Sequence, residues 1–375
     1  MKREIWRSFD YWLFAVVLVL CVFGIVMITS ALAGNLEVSV NSQVQYVVIG
    51  LFMIIGLTIF DYHYLDAMSG LLYFGIIVLL FALNIFGQAQ FGAARWLRIG
   101  PFQLQPSEFA KAVLIIRLAK YFSDRWYDPH DMRWILTSFG LTFGIVLFIL
   151  LQPNMSTSIV MMVIWFSMLW VSKVPTKYLV ILGLFGFFFI TGMLIWILLS
   201  PDTVPFVQEY QLNRVRTFIA PDPNARYGDN YNVDQAVISL GSGQLTGQGY
   251  GNGTQVQLRF LKVRHTDFIF SALGQEFGFV GTMSIIILIM FMIWRCFRNA
   301  MQAPDLFGAL ICYGVGALLF FQTSVNIGVN LQVLPVTGLT LPFVSYGGSS
   351  TLALAVMIGL VESVAARQVK QEELR

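Results

Sequence analysis

Stretches of about twenty consecutive apolar residues recur along the whole of this 375-residue chain. The hydrocarbon core of a bilayer is about 30 Å thick, and a helix needs about twenty residues to cross it. Runs such as 12–33 and 177–199 reach that length with almost no charged side chain. Charged residues make up 11% of the chain, against roughly a quarter in an ordinary soluble domain. We therefore predict an all-α, polytopic membrane protein.

Windows of about twenty apolar residues predict about ten transmembrane helices. The fourth carries Glu108, Lys111 and Arg117, and the tenth opens on glycines and serines, so both are expected to face protein or a water-filled cavity. The ten predicted spans are 11–33, 43–60, 69–86, 107–122, 133–151, 156–172, 177–199, 267–294, 304–330 and 342–364.

Basic residues predict the orientation of these spans. The short loops on the N-terminal side of the count are rich in lysine and arginine, whereas the opposite short loops hold little beyond Arg95 and Arg98. The positive-inside rule then places both termini in the cytoplasm. Segment 200–266, between helices 7 and 8, becomes a large extracytoplasmic loop within a single transmembrane domain, 1–375. Its aromatic and aliphatic residues predict short amphipathic helices on the outer surface of the bundle.

The charge balance limits the partners. The formal net charge is +3, and the basic residues are scattered instead of forming an array that would neutralise a phosphate backbone. Nucleic acid is therefore excluded as a partner, and membrane lipids are the expected surroundings.

Asp267 is the foremost candidate for chemistry. It lies in Arg264-His265-Thr266-Asp267, where the outer loop enters the eighth span. A carboxylate at the mouth of a span is costly to bury and indicates function. The alternative is a helix N-terminal carboxylate that only complements the helix dipole.

A second group of charged candidates lies earlier in the chain. Glu108 and Lys111 are three residues apart, so on a helix they share one face and can pair. Arg95 precedes Trp96 at the outer surface and has the geometry to bind a diphosphate. The alternatives are a self-satisfied ion pair for Glu108 and Lys111, and interface anchoring for Arg95.

The segment 341–350, Leu-Pro-Phe-Val-Ser-Tyr-Gly-Gly-Ser-Ser, is the third candidate. Its glycines permit close backbone approach, and its serines supply hydroxyl groups, a combination that can hold a sugar or a phosphate. Ser345, Gly348 and Ser349 are the substrate-binding candidates here. Tight helix packing through small residues is the alternative.

Together these motifs resemble the shape, elongation, division and sporulation (SEDS) family of peptidoglycan glycosyltransferases over nearly the whole chain. Arg264 and the sequence Phe60-Asp61-Tyr62 are more similar to the elongation type, RodA, than to the division type. The motifs that carry the resemblance are 92–96, 105–111, 152–154, 265–270, 326–328 and 334–350.

The resemblance implies a multi-pass enzyme of a bacterial cytoplasmic membrane, with its active site on the extracytoplasmic face. It implies an inverting transfer that joins lipid II to a glycan strand on undecaprenyl diphosphate by a β-1,4 bond during cell-wall elongation. The implied protein partner is a class B penicillin-binding protein with transpeptidase activity. A divalent cation, Mg²⁺ or Mn²⁺, stays open, and the sequence assigns no metal ligand.

The resemblance also implies residue roles. Asp267 is the general base. Arg95, Lys111 and Arg264 are candidates for stabilising the leaving diphosphate, with Glu108 orienting Lys111. Two alternatives from other classes stay open: a flippase for lipid-linked precursor, and a scaffold for a cell-wall transpeptidase. The flippase predicts polar residues at mid-membrane depth, whereas the polar motifs here gather at the outer ends of the spans.

Overall fold

The structure is a computed structural model that describes residues 6–32, 40–86, 88–90, 93–100, 102–128, 131–152, 154–199, 212, 214, 218–219 and 229–368. Its long helices are α1 (Tyr11–Ala31), α2 (Val40–Ile59), α3 (His63–Phe86), α4 (Pro106–Asp124), α5 (Met132–Leu151), α6 (Met155–Val171), α7 (Thr176–Leu199), α10 (Ile269–Met301), α11 (Leu306–Asn330) and α12 (Gly348–Ala365). The shorter elements are strands β1 (Gln88–Gln90), β2 (Ala93–Ile99) and β3 (Phe102–Leu104), with helices α8 (Asp229–Ser242) and α9 (Thr254–Gln257).

The predicted all-α membrane fold with about ten spans is confirmed. Eight of the long helices are long and apolar enough to cross a membrane. The other two are α6, a shorter apolar helix of 17 residues, and α4, which carries charged residues. Glu108 and Lys111 of α4 are buried, so the fourth span faces protein as predicted. The protein is a multi-pass membrane protein.

The helices differ in how deeply they lie in the bundle. Helix α12 packs along α2, α10 packs on α1 and α11, and α4 packs against α3 and α11. Most of α12 is buried, whereas α7 is almost entirely exposed along its apolar window. Helices α4, α11 and α12 therefore form the interior, and an exposed apolar helix such as α7 is stable because lipid surrounds it.

The tenth span begins later than predicted. The sequence predicted a start at 342, but residues 342–347 form turns and the helix begins at Gly348. Phe343 has a φ of 60°, in the left-handed region that a right-handed helix cannot contain. The polar start of the predicted span is thus a loop, which explains why it lacks the apolar character of a lipid-facing helix.

Helix α10 is broken at Gly278, which has a φ of 66° and a ψ of −162°. The glycine-rich loop after α8 inserts its backbone into this break. Gln244 O accepts from Phe279 N at 2.8 Å, and Gln248 N donates to Gln275 O at 2.9 Å. A β-carbon at Gly278 would collide with the backbone of this loop, so glycine is required for the close approach. The loop's hydrogen bonds replace those that the helix loses at the break.

Parts of loop 200–266 confirm the predicted surface helices. Helix α8 packs against α10, with Val233, Ala236 and Ser239 buried at intervals of three residues. This spacing is that of an amphipathic helix. Most of the loop before Asp229 lies outside the described residues.

A small antiparallel sheet, which the sequence analysis did not predict, connects α3 to α4. The strand order is β1-β2-β3, and Ile99 pairs with Phe102 across a tight turn. Gly100 in that turn has a φ of 60°. Arg95 and Trp96 of β2 line the same cavity as Glu108 near the start of α4.

A buried polar cluster lies at the end of the bundle opposite Asp267. Arg295 Nη2 lies 2.6 Å from Asp10 Oδ1, and Asn299 Nδ2 donates to Asp10 Oδ2 at 2.9 Å. Asp10 N donates to Glu362 Oε2 at 3.0 Å. Since Arg295 is near the far end of α10, residues 10 and 362 lie at the end of the bundle opposite Asp267.

Candidate active site

A cavity of about 950 Å³ opens where the sheet, the loop before α10 and the starts of α4, α6 and α12 meet. Five of the predicted site residues line it: Arg95, Glu108, Asp267, Gly348 and Ser349. The structure thus brings together residues that are up to 254 positions apart in the sequence. Lys111, Arg264 and Ser345 are not among the lining residues.

Asp267 lies in the turn just before α10, two residues ahead of the helix start at Ile269, whereas the sequence predicted that the span begins at Asp267 itself. Its side chain is half-buried and lines the cavity. Gly338 lies across from it: a β-carbon at this glycine would be 3.8 Å from Asp267 Oδ2. Gly338 has a φ of 78°, which favours glycine, so the wall of the cavity beside the carboxylate stays free of a side chain.

Three successive backbone carbonyls hold the Asp267 segment. Tyr346 N donates to His265 O at 2.8 Å, and Ser345 Oγ donates to Thr266 O at 2.8 Å. Asp267 O accepts from the side-chain amides of two asparagines on α11. Each of these carbonyls is therefore tied to a neighbouring element, and the carboxylate is placed by contacts on both sides of the turn.

The two asparagines are Asn326 and Asn330. Asn330 Nδ2 donates to Asp267 O at 2.9 Å and to Asn326 O at 2.8 Å, while its Oδ1 accepts from the N and Oγ of Ser271. Asn326 Nδ2 donates to Asp267 O at 3.1 Å and to Leu339 O at 2.8 Å. Both side chains are buried. They fasten the start of α10 to α11 and to the loop that carries Gly338, and the sequence analysis assigned neither a role.

Arg95 reaches the cavity from β2. Its Nε donates to the backbone carbonyl of Gln152 at 2.6 Å, at the end of α5. The side chain is half-buried and lines the cavity together with Trp96. The contact to Gln152 orients the guanidinium group, which is suited to bind phosphate oxygens.

Glu108 and Lys111 form the pair that their spacing predicted. Lys111 Nζ lies 2.7 Å from Glu108 Oε2, and the lysine side chain is 1% exposed. Glu108 lines the cavity, whereas Lys111 lies behind it. The carboxylate of Glu108 therefore lies in the cavity wall, and the ammonium group of Lys111 lies directly behind it.

Replacing Glu108 with glutamine is expected to destabilise the protein by about 3–5 kcal/mol, because it leaves the buried Lys111 ammonium without its counter-ion. The double variant Glu108→Gln/Lys111→Met should recover most of that loss. Chemical denaturation of the purified variants measures both. Glycan polymerisation by the double variant separates the two interpretations: recovered activity indicates a structural pair, and lost activity indicates a role toward substrate.

Arg264 and Ser345 support the site from outside the cavity lining. Arg264 is buried, and its Nε and Nη1 donate to the carbonyls of Ala31 and Leu261 at 2.5 and 3.2 Å. Ser345 Oγ accepts from Leu341 N at 2.8 Å while it donates to Thr266. These contacts favour positioning roles for both residues.

Gly348 and Ser349 combine packing with exposure to the cavity. A β-carbon at Gly348 would collide with the ring of Tyr46. Ser349 Oγ accepts from Gln105 N at 2.8 Å and donates to Gln103 O at 2.9 Å. The start of α12 is thus joined to α2 and to the segment between β3 and α4, and both small residues face the cavity.

His265 precedes the candidate carboxylate by two residues. Its ring lies edge-on to that of Tyr346, with centroids 5.7 Å apart. Burial and then the nearby positive charge of Arg264 lower the pKa of His265 below its ordinary value. The ring is therefore held in the neutral form at neutral pH.

The lowered pKa of His265 predicts a pH dependence of stability. The unfolded state binds the proton on His265 more readily than the folded state does. The contribution of the neutral ring to the free energy of unfolding is therefore complete above about pH 6.5, and it is lost as the pH falls through 6.5 toward the folded pKa. Between about pH 7.5 and pH 5.5, the wild-type melting temperature should fall further than that of His265→Gln. Equal falls in the two proteins would contradict the assignment.

Several lining residues were missed by the sequence analysis, which singled out charged and small residues. Gln322 lines the cavity, and Asn326 and Asn330, which hold the Asp267 turn, follow it at intervals of four residues on the apolar helix α11. The sequence does display this polar stripe. Arg214 of the outer loop also lines the cavity. The other missed lining residues include Tyr46, Trp96, Gln103, Gln105, Ser156, Thr157, Thr337 and Tyr346.

The described residues offer no cluster of side chains of the kind that holds a metal ion. Over the described ranges, no three His, Cys, Asp or Glu side chains come together as a metal-binding group. Divalent cations such as Mg²⁺ and Mn²⁺ prefer several oxygen ligands.

Comparisons with known proteins find relatives along almost the whole chain. The family model FTSW_RODA_SPOVE, described as "Cell cycle protein", matches residues 11–370. Stage V sporulation protein E of Bacillus subtilis is 30% identical over 368 residues, covering 95% of this chain and 96% of the relative. Peptidoglycan glycosyltransferase MrdB of Escherichia coli K12 is 31% identical over 365 residues, covering 97% and 95%.

A solved structure has the same fold. A chain from "Structural coordination of polymerization and crosslinking by a peptidoglycan synthase complex" superposes with a TM-score of 0.80 at 29% identity, covering 97% of this chain and 99% of that one. The match of the family model to almost the whole chain confirms the predicted resemblance. This chain belongs to the FtsW, RodA and SpoVE family of cell cycle proteins.

Proposed function

We propose that this protein is a peptidoglycan glycosyltransferase that joins lipid II to a growing glycan strand. The observation that carries the proposal is Asp267, a carboxylate fastened through its backbone at the wall of a cavity that Arg95 also lines. The relative MrdB bears the name of this activity. A base and a cation in one cavity are the two groups that glycosyl transfer from a diphosphate requires.

In the proposed reaction, Asp267 removes the proton from the acceptor hydroxyl of an N-acetylglucosamine unit. The oxygen attacks the anomeric carbon of the donor muramyl unit from the face opposite its diphosphate. The new β-1,4 bond forms as the bond to the diphosphate oxygen breaks, so an α-linked donor is inverted. The proton stays on Asp267, and the bond electrons leave with undecaprenyl diphosphate.

Arg95 is the proposed donor to the leaving diphosphate. Its planar guanidinium group offers paired N–H donors to phosphate oxygens, and its contact with Gln152 fixes its direction. Arg214 lines the same cavity and adds a second positive charge. Glu108 orients Lys111, whose charge lies behind the cavity wall. Arg264 acts through the backbone it holds.

The proposed location follows from the charge distribution. The positive-inside rule places the basic end of the bundle in the cytoplasm of a bacterium. Asp10 is close to the N-terminus, which this rule assigns to the cytoplasm, and it lies at the end of the bundle opposite Asp267. This supports the proposal that the cavity opens to the outer face, where the lipid-linked substrates end in sugars. Their polyprenyl tails would lie in the surrounding membrane, in contact with the apolar helices.

A class B penicillin-binding protein is the proposed partner, since the solved relative is part of a peptidoglycan synthase complex. Arg264 and the sequence Phe60-Asp61-Tyr62 favour the elongation role over division. The position of the cavity at one end of the bundle favours surface chemistry over transport across the membrane.

The test is polymerisation of labelled lipid II by the purified protein, with and without a class B penicillin-binding protein. The expected result is long glycan strands sensitive to a muramidase. Translocation of lipid II across liposomes without polymer would instead indicate a flippase. Stimulation of the partner's transpeptidase activity, with no polymer from this chain, would indicate a scaffold.

A further inference from the structure

Gln322 combines two properties that no other described residue shares. It lines the cavity, and its side-chain Oε1 is buried without a hydrogen-bond partner. The residue is 3% exposed. Most buried polar atoms in native proteins have partners, so an exception on the wall of a candidate active site requires an explanation.

The position of Gln322 relates it to the proposed base. It precedes Asn326 by four residues on α11, which corresponds to about 6 Å along the helix. Asn326 in turn donates to the backbone carbonyl of Asp267 at 3.1 Å. One face of α11 therefore fastens the Asp267 turn with one amide and presents a second amide to the cavity about one helical turn away.

The chemistry of this amide limits what it binds. A neutral carboxamide oxygen accepts hydrogen bonds, and unlike Arg95 it has no charge to attract a phosphate. The substrates of the proposed reaction carry two kinds of neutral donor near the reacting centre, the N–H of an acetamido group and the hydroxyl groups of the sugar rings. Either would satisfy Oε1.

We infer that Gln322 is a substrate-binding residue whose amide oxygen accepts a hydrogen bond from a neutral donor on a sugar ring, either an acetamido N–H or a hydroxyl. The inference rests on the proposed glycosyltransferase function and adds a contact to the sugar. It assigns Gln322 to ring recognition and Arg95 to the diphosphate.

Thr323 supplies a matched control. It is the next residue on α11, it is fully buried, and its Oγ1 also lacks a partner, but it does not line the cavity. If burial of an unpaired oxygen were the only property that matters, the two positions would respond alike. If Gln322 binds substrate, only its replacement will affect turnover.

The experiment compares wild type with Gln322→Met and Thr323→Val, which both remove an unpaired oxygen with little change in volume. Neither change should lower the melting temperature without substrate, because no hydrogen bond is lost. Gln322→Met should reduce the polymerisation rate by about 5-fold to 150-fold, the effect of one lost buried hydrogen bond. Thr323→Val should retain the wild-type rate.

Binding of labelled lipid II, measured without turnover, keeps this result separate from the proposed function. Weaker binding by Gln322→Met than by Thr323→Val supports the inference even if wild type makes no polymer. If wild type makes no polymer with the partner present, that result counts against the proposed function alone. Equal binding and equal rates for wild type and Gln322→Met would overturn the inference. Gln322→Leu repeats the test if the methionine variant does not fold.

Two lipid II substrates identify the donor. In one, a hydrogen atom replaces an acetamido group of the disaccharide, so that no donor remains on that ring carbon. If the acetamido N–H binds Gln322, wild type loses the same factor on this analogue, and Gln322→Met shows no further loss. If a ring hydroxyl binds Gln322, the ratio between wild type and variant is the same on both substrates.

Discussion

Replacing Asp267 with alanine is expected to reduce glycan polymerisation by a factor of about a hundred to ten thousand, because a positioned general base contributes that much to rate. The side chain lines the cavity, so its removal leaves the acceptor hydroxyl without a group to take its proton. Folding should be preserved, since Asn326 and Asn330 donate to the backbone carbonyl of Asp267 and these hydrogen bonds survive the change.

The measurement is lipid II polymerisation by Asp267→Ala and Asp267→Asn, each compared with wild type at matched melting temperature. Asp234→Ala is the control, because Asp234 is an exposed aspartate of α8 that does not line the cavity. The control should polymerise at the wild-type rate. Normal polymerisation by either Asp267 variant would remove the residue from the role of base and favour its alternative as a helix-terminal carboxylate.

The Asn330→Asp variant is expected to lose about a hundredfold in kcat while its KM stays near the wild-type value. The change preserves the shape of the side chain and the oxygen that accepts from Ser271, but it replaces the amide that donates to Asp267 O and Asn326 O. Without that donor the Asp267 turn is held less closely. A misplacement of a reacting group by about 1 Å can cost a hundredfold in rate.

Ser271→Ala controls for a general loss of stability. It removes the hydroxyl that donates to Asn330 Oδ1 at 2.7 Å but leaves the bonds to Asp267 intact. The expected cost is about 1 kcal/mol of stability with little change in kcat per folded molecule. If Asn330→Asp lowered only the amount of folded protein, with an unchanged kcat, the asparagine would be structural and not a positioning residue.

The extent of the site that the sequence revealed depends on the kind of residue. Asp267, Arg95 and Glu108 were identified because charge near a span is costly and therefore conspicuous. Asn326 and Asn330 were not assigned roles, because neutral amides cost less to bury and their partners are backbone carbonyls of distant segments. Such contacts leave no spacing pattern in the sequence.

For Arg264, the sequence identified the residue but not the direction of its side chain. As a charged residue next to His265, it was a candidate for stabilising the leaving diphosphate. The fold instead directs its guanidinium group to the carbonyls of Ala31 and Leu261. Its proximity in sequence to Asp267 did not predict its direction. The Leu261 carbonyl is local to the turn, but only the packing of α1 beside the turn provides the Ala31 carbonyl.

The membrane fold, its helices and most of their limits are determined by the amino-acid sequence, because hydropathy is a local property and each span must satisfy its own backbone. The tertiary structure decided the break in α10 at Gly278, where a loop some thirty residues earlier supplies the replacement hydrogen bonds. It also decided the sheet and the cavity. These features depend on contacts between distant segments, so their energy appears only once the helices have packed.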